Sequence, residues 1–156
     1  MDLRRAARDP WVWGQLLLVA LIALGAPRMP RWLGIAAPGP AYMRWCGAVL
    51  LLCGAAVMLW SARALGRSLT PGIEPLPGAP LVTRGPYRYV RHPIYLGVTL
   101  LCAGYTLLWT NFIVAFAAGA VVWLYFEGKA RAEERWLMDR YPDYKEYMRQ
   151  VRHRVV

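Results

Sequence analysis

One run of this chain brings together the residue types that bind and activate small molecules. It reads Arg84-Gly85-Pro86-Tyr87-Arg88-Tyr89-Val90-Arg91-His92-Pro93-Ile94-Tyr95-Leu96-Gly97. His92 is the only histidine near it and could donate to an anion or act as a nominal base. Pro93 keeps the preceding backbone out of helix, so its amides and carbonyls are free to face a ligand. The tyrosine rings can face a cation. The run contains no acid. Glu133 is the candidate to supply one, as an acceptor for ammonium or hydroxyl groups, and Lys129 lies four residues earlier, on the same face if the segment is helical.

The segments that must carry these residues are apolar. The chain has 156 residues, 58% of them hydrophobic, with 8 Trp, a composition unusual for a soluble domain. Its net charge of +10 comes from 19 Lys and Arg against 9 acids. Those charges fall between apolar runs, which points to the positive-inside bias of membrane proteins and away from nucleic acid. Four apolar spans are expected, at Trp11–Ala26, Trp45–Ala62, Tyr95–Trp109 and Phe112–Phe126, the last two forming a tight hairpin about Thr110-Asn111. Gly47 and Gly54 recur at seven residues in the second span, giving one small face that allows close helix packing. Pro and Gly exclude helix from the 27–40 loop, apart from an interfacial turn at 32–37, and from the long 66–93 connection. The fourth span is expected to continue past the membrane until Pro142, followed by a short helix with Pro142-Asp143 in its first turn and bearing Tyr144 and Tyr147.

The reading is therefore all-α: a single membrane domain over 1–156, with a helix pair in 1–65 and the loop, hairpin and C-terminal helices in 66–156. Five arginines and one acid in 63–91, eight Lys or Arg after 126, and none at 110–111 put both termini and the 63–91 loop in the cytoplasm. Cys46, Cys53 and Cys102 read as buried structural thiols, with no metal-ligand spacing. Arg84 and Arg88 read as anchors on anionic headgroups, as does Arg91 in large part. Glu133-Glu134 also has the plain reading of a solvated helix face. His153 reads as solvated.

The segments Leu81-Val82-Thr83-Arg84-Gly85-Pro86-Tyr87, Arg91 to Gly97, Glu133-Glu134-Arg135-Trp136-Leu137 and Tyr144 to Val151, in this order and spacing, resemble the isoprenylcysteine carboxyl methyltransferases and the related phospholipid methyltransferases. The resemblance covers residues 80–151. It implies an integral-membrane enzyme that uses S-adenosylmethionine (SAM), enclosed by loop and tail on the cytoplasmic side. Carried over by position, the cofactor contacts are Leu81, Val82, Tyr87, His92, Pro93, Ile94, Tyr95 and Glu133. Where the carboxyl methyltransferases have an arginine that meets the acceptor, this chain has Lys129, which keeps the charge without the planar fork that suits a carboxylate. Tyr141-Pro142 stands where the family commonly has Phe-Gly. The implied function is methyl transfer from SAM to a lipophilic or membrane-partitioning acceptor, with His92 and Lys129 as the catalytic candidates and His92 preferred as a cofactor anchor. The acceptor atom stays open: carboxylate, amine, thiol or isoprenoid. The lipid bilayer is the expected partner, and a second copy of the chain is a candidate to complete the acceptor tunnel.

Two other readings compete. The carboxyl ends of sterol reductases share a similar Arg-His-Pro-x-Tyr-x-Gly segment and use NADPH. A non-catalytic membrane protein could also use the motif as a fold element. No GxGxxG follows a strand, so the soluble dinucleotide-type route to the cofactor is absent.

Overall fold

The computed structural model describes residues 9–30 and 40–155. Within them the chain is all-α, with no strand. Helix α1 is Pro10–Gly25, α2 Ala41–Leu65, α3 Pro93–Trp109, α4 Phe112–Arg140 and α5 Tyr144–Gln150. Short 3-10 turns occupy Gly66–Ser68 and Gly85–Arg88. The arm before residue 9 and the turn expected at 32–37 lie outside the described residues.

Local chemistry sets the helix ends. Asp9 caps α1, its carboxylate accepting from the Trp11 amide at 2.9 Å ahead of Pro10 at the first helical position. Pro93 opens α3 in the same way. Asn111 caps α4 by accepting from the Val114 amide at 3.1 Å, so a single polar dipeptide suffices to turn the α3–α4 hairpin. Helix α4 runs on without a break to Arg140, and Tyr141, extended ahead of Pro142, ends it. Pro142-Asp143 falls just before α5 rather than in its first turn, and the Asp143 side chain makes no capping bond.

Helices α2 and α4 are long and apolar enough to cross a membrane; α1 and α3 are shorter apolar helices. Their outward faces are covered by large apolar side chains, among them Trp13, Leu17, Trp45, Leu52, Ile113 and Phe116. A surface of that kind is stable against hydrocarbon and costly in water. Cys102 is buried against Val122 and Phe126. Cys46 and Cys53 are exposed, contrary to expectation. They lie one residue off the glycine face of α2, which turns them outward.

The small face of α2 meets a matching face on α3. A Cβ on Gly54 would lie 2.7 Å from the Gly97 carbonyl oxygen, and one on Gly47 would lie 2.9 Å from that of Gly104. The reciprocal contacts are equally tight, so backbone packs directly on backbone. Gly54→Val should force the helices apart and lower stability by about 1–3 kcal/mol or more; a thermal melt in detergent unchanged from wild type would contradict this packing. Because Gly97 closes the His92–Gly97 run, the same contact fixes where that run leaves the membrane helix.

Candidate functional site

The 66–92 connection folds back over the helices' ends instead of extending into solvent. Four contacts hold it. Asp9 accepts from the Ile73 amide at 2.8 Å, Lys129 Nζ donates to the Pro71 carbonyl at 2.7 Å, Tyr141 donates to the Ala79 carbonyl at 2.6 Å, and Tyr147 donates to that of Tyr87 at 2.7 Å. Gly85 turns the chain with φ +63° directly over Trp60 and Ala64 of α2, a conformation other residues adopt only with strain.

Under this connection lies a cavity of about 430 Å³, within the size range of ligand pockets. Leu81, Val82, Tyr87, His92, Ile94, Tyr95, Lys129 and Glu133 all line it. Pro93 does not. It is buried at the start of α3, where it sets the helix and hence the direction of Ile94 and Tyr95. The sequence reading missed Gln15, Leu16 and Val19 of α1 and the tyrosine Tyr141, all of which line the same cavity. Gln15 carried a usable signal, since it is the sole polar residue in an apolar span.

The cavity wall is an aromatic ladder with charges along it. The His92 and Tyr95 rings stack 5.3 Å apart with planes 2° from parallel, and Tyr95 stacks on Phe126 at 4.7 Å. Glu133 Oε2 accepts from the Tyr95 hydroxyl at 2.6 Å and lies 3.4 Å from His92 Nδ1. Lys129 Nζ stands 5.4 Å from the Tyr95 ring centre. Lys129 is 1% exposed and bonds Gln15 Oε1 as well as Pro71 O.

Beside the ladder sits a second group of charges, of which Arg91 also lines the cavity. Arg91 Nε donates to Glu134 Oε1 at 2.7 Å, and Arg154 Nε donates to Glu134 Oε2 at 2.8 Å. Arg91 Nη1 also donates to the carbonyls of Val151 and Arg152. The amides of Arg91 and His92 bond the carbonyls of His153 and Arg154 at 3.0 and 2.8 Å. The C-terminal segment is thus paired along the His92 run. These facts correct two expectations. Arg91 is buried and clamps the tail, so it is no headgroup anchor, and Glu134 is buried rather than on a solvated face. The His153 side chain is exposed, as expected.

Burial alone would hold the His92 imidazolium below its ordinary pKa. The charge of Glu133, then contacts with Glu133 and Glu134, outweigh burial and raise it to about 9. His92 Nε2 is 3.4 Å from Glu134 Oε1 without forming an aligned hydrogen bond, so the attraction is one of charge. Since the folded value exceeds the ordinary one near 6.5, the stabilisation from this cation is complete below about pH 6.5 and is lost as pH rises through about 9. The melting difference between wild type and His92→Asn should shrink across that window; a pH-independent difference would mean that His92 does not titrate there. Burial, and then the Glu133 charge, push the Tyr87 phenol well above its usual range, so it stays a neutral donor.

Comparison with known proteins identifies relatives of this chain. The phospholipid methyltransferase family pattern matches residues 42–144, from the start of α2 to the start of α5. The chain belongs to that family. Its methyltransferase relatives include the protein-S-isoprenylcysteine O-methyltransferase of Schizosaccharomyces pombe, 36% identical over 72 residues, which are 46% of this chain and 30% of that protein. Protein-S-isoprenylcysteine O-methyltransferase A of Arabidopsis thaliana is 33% identical over 95 residues, 58% of this chain and 47% of the relative. The B form from the same plant is 36% identical over 72 residues and is matched over 36% of its length. The chain thus matches less than half the length of these relatives.

Proposed function

We propose that this protein is a membrane methyltransferase that takes its methyl group from SAM and delivers it to a lipophilic acceptor. The single observation that carries the reading is the convergence of the His92–Tyr95 run and Glu133 on one aromatic cavity, in a chain of methyltransferase ancestry. Bound SAM would supply a methyl group already activated on a cationic sulfur.

The residues present fit such a ligand. Among the described residues the buried Tyr144 hydroxyl has no hydrogen-bond partner, and its side chain lines the cavity; His92 Nε2 also makes no aligned hydrogen bond but faces the Glu134 carboxylate at 3.4 Å. A buried hydroxyl of this kind calls for a ligand or water. His92 is held cationic by Glu133 and suits a carboxylate. Glu133 can accept from an ammonium or ribose hydroxyls beside Tyr95. The ring face of Tyr87 suits a sulfonium, worth about 0.5–2 kcal/mol; the Tyr95 ring is already stacked on His92 and Phe126. Leu81, Val82 and Ile94 offer apolar contact for an adenine. The connection folded over the cavity covers part of it, and a bound ligand that fills the rest would exclude water, which favours transfer to an aligned acceptor over hydrolysis.

We further propose that the loop and both termini are cytoplasmic, following the arginine distribution, and that the apolar residues of α1 beside the cavity face the acceptor's lipid part. Titration calorimetry of the purified protein in detergent, with SAM and with NADPH, tests the cofactor. Binding of SAM alone is expected. Binding of NADPH alone would favour a reductase, and binding of neither would favour a non-catalytic role. Incubation with methyl-labelled SAM and a lipid extract would then reveal the labelled acceptor.

A further inference from the structure

Lys129 presents an unresolved charge. It is 1% exposed, and no carboxylate lies within ion-pair distance of its Nζ among the described residues. Its two hydrogen bonds go to neutral oxygens, Gln15 Oε1 and Pro71 O. One of its three N–H donors therefore has no oxygen partner. A buried cation whose direct hydrogen-bond partners are all neutral is costly, and the carboxylates of Glu133 and Asp9 attract it only from beyond ion-pair distance, which leaves room for an anion to join it. Glu133, one turn further along α4, does not fill this role, since its Oε2 is taken by Tyr95 and faces His92.

Gln15 supplies the other half of the arrangement. An ammonium can only donate, so the Gln15 carbonyl oxygen must be the atom turned to Lys129, and its NH2 group must point the other way. That NH2 has no partner among the described residues, and Gln15 lines the cavity beside Leu16 and Val19. Two donor groups, one charged and one neutral, thus come together from helices 114 residues apart in sequence. A lone lysine lacks a planar fork; a lysine joined to a glutamine amide provides two donors at a fixed spacing.

We infer that Gln15 is a positioning and specificity residue that, with Lys129, receives an anionic oxygen of the acceptor. This rests on the methyltransferase reading for the identity of the acceptor, but the anion site itself stands on geometry. If that oxygen is the nucleophile, it forms the new O–CH3 bond as the C–S bond of the sulfonium breaks. The electron pair goes to sulfur, leaving a neutral thioether, and no proton moves. Gln15 and Lys129 would then bind the oxygen and hold it in line without acting as acid or base.

The test uses the full chain in detergent, with S-adenosylhomocysteine present so that no transfer occurs. The probes are S-farnesyl-N-acetylcysteine, which has a free carboxylate, and its carboxamide, each titrated by calorimetry. Wild type should prefer the carboxylate by about tenfold or more, and Gln15→Leu should cut the preference below about threefold. Gln15→Glu is the decisive variant. It keeps an oxygen for Lys129, so a merely structural role would leave it at or above wild type. On this proposal it neutralises Lys129, removes the NH2 donor and abolishes the preference. SAM affinity should stay within about twofold of wild type in both variants. Retained preference in Gln15→Glu, no preference in wild type, or equal loss of SAM and acceptor binding would each overturn the inference. Selective carboxylate binding without any methyl transfer would instead defeat the proposed function and leave the anion site standing.

Discussion

Replacing Glu133 by alanine is expected to lower SAM affinity by about tenfold or more, roughly 1.4 kcal/mol. The two neighbouring acids have different duties. Glu134 has both oxygens occupied by arginines, and its side chain is 4% exposed. Glu133 is 21% exposed at the side chain, faces the cavity, and is held only by the Tyr95 hydroxyl and the His92 cation. It is therefore the acid available to a ligand. Its removal also strands the buried Tyr95 hydroxyl and withdraws the charge that keeps His92 protonated, so a second binding group fails with it. Glu133→Gln keeps an acceptor for Tyr95 without the charge and should fall between alanine and wild type. Calorimetry with SAM measures the loss and a melt in detergent controls for folding. Wild-type affinity in both variants would remove Glu133 from the proposed site.

Arg91→Ala should cost more stability than substitution of any other residue lining the cavity, on the order of 3–5 kcal/mol. The Arg91–Glu134 pair is 5% and 4% exposed at its side chains. Removing the guanidinium leaves Glu134 with Arg154 and the more distant His92 cation, and frees the Val151 and Arg152 carbonyls from their donor. Arg91→Lys should rescue little, because one ammonium cannot span a carboxylate and two carbonyls as the guanidinium does. Arg91→Ala combined with Glu134→Ala should cost less than the sum of the single changes, since the second removes the buried charge that the first leaves short of a partner. Melts in detergent of these variants and of Glu134→Ala alone measure the effects. A single variant that melts like wild type would contradict the clamp.

Elements governed by local rules were legible in the sequence. The Thr110-Asn111 turn, the stop at Pro142 and the small face at Gly47 and Gly54 each follow from residues within a few positions of one another. The His92 run was legible because its residue types are dense. What failed was pairing at long range. Arg91 looked like a headgroup anchor because its partner Glu134 is 43 residues away. Gln15 looked incidental because its partner Lys129 is 114 residues away. The return of residues 151–155 beside the His92 run carries no periodicity, as its bonds are made by backbone. Cys46 and Cys53 were misplaced for another reason. In a bilayer apolar residues face outward as readily as inward, so hydrophobicity no longer reports burial.

The pairing of Arg91 and His92 amides with the His153 and Arg154 carbonyls has a consequence for synthesis. In a chain made from its N-terminus, residues 151–155 emerge after α1 to α4. Until then the His92 amide has no acceptor and Arg91 has only part of its set. The apolar helices can therefore pack before the pocket wall exists, and that wall is closed by residues made after all four of them. Premature termination near residue 150 would yield a protein that inserts normally yet never assembles its binding surface.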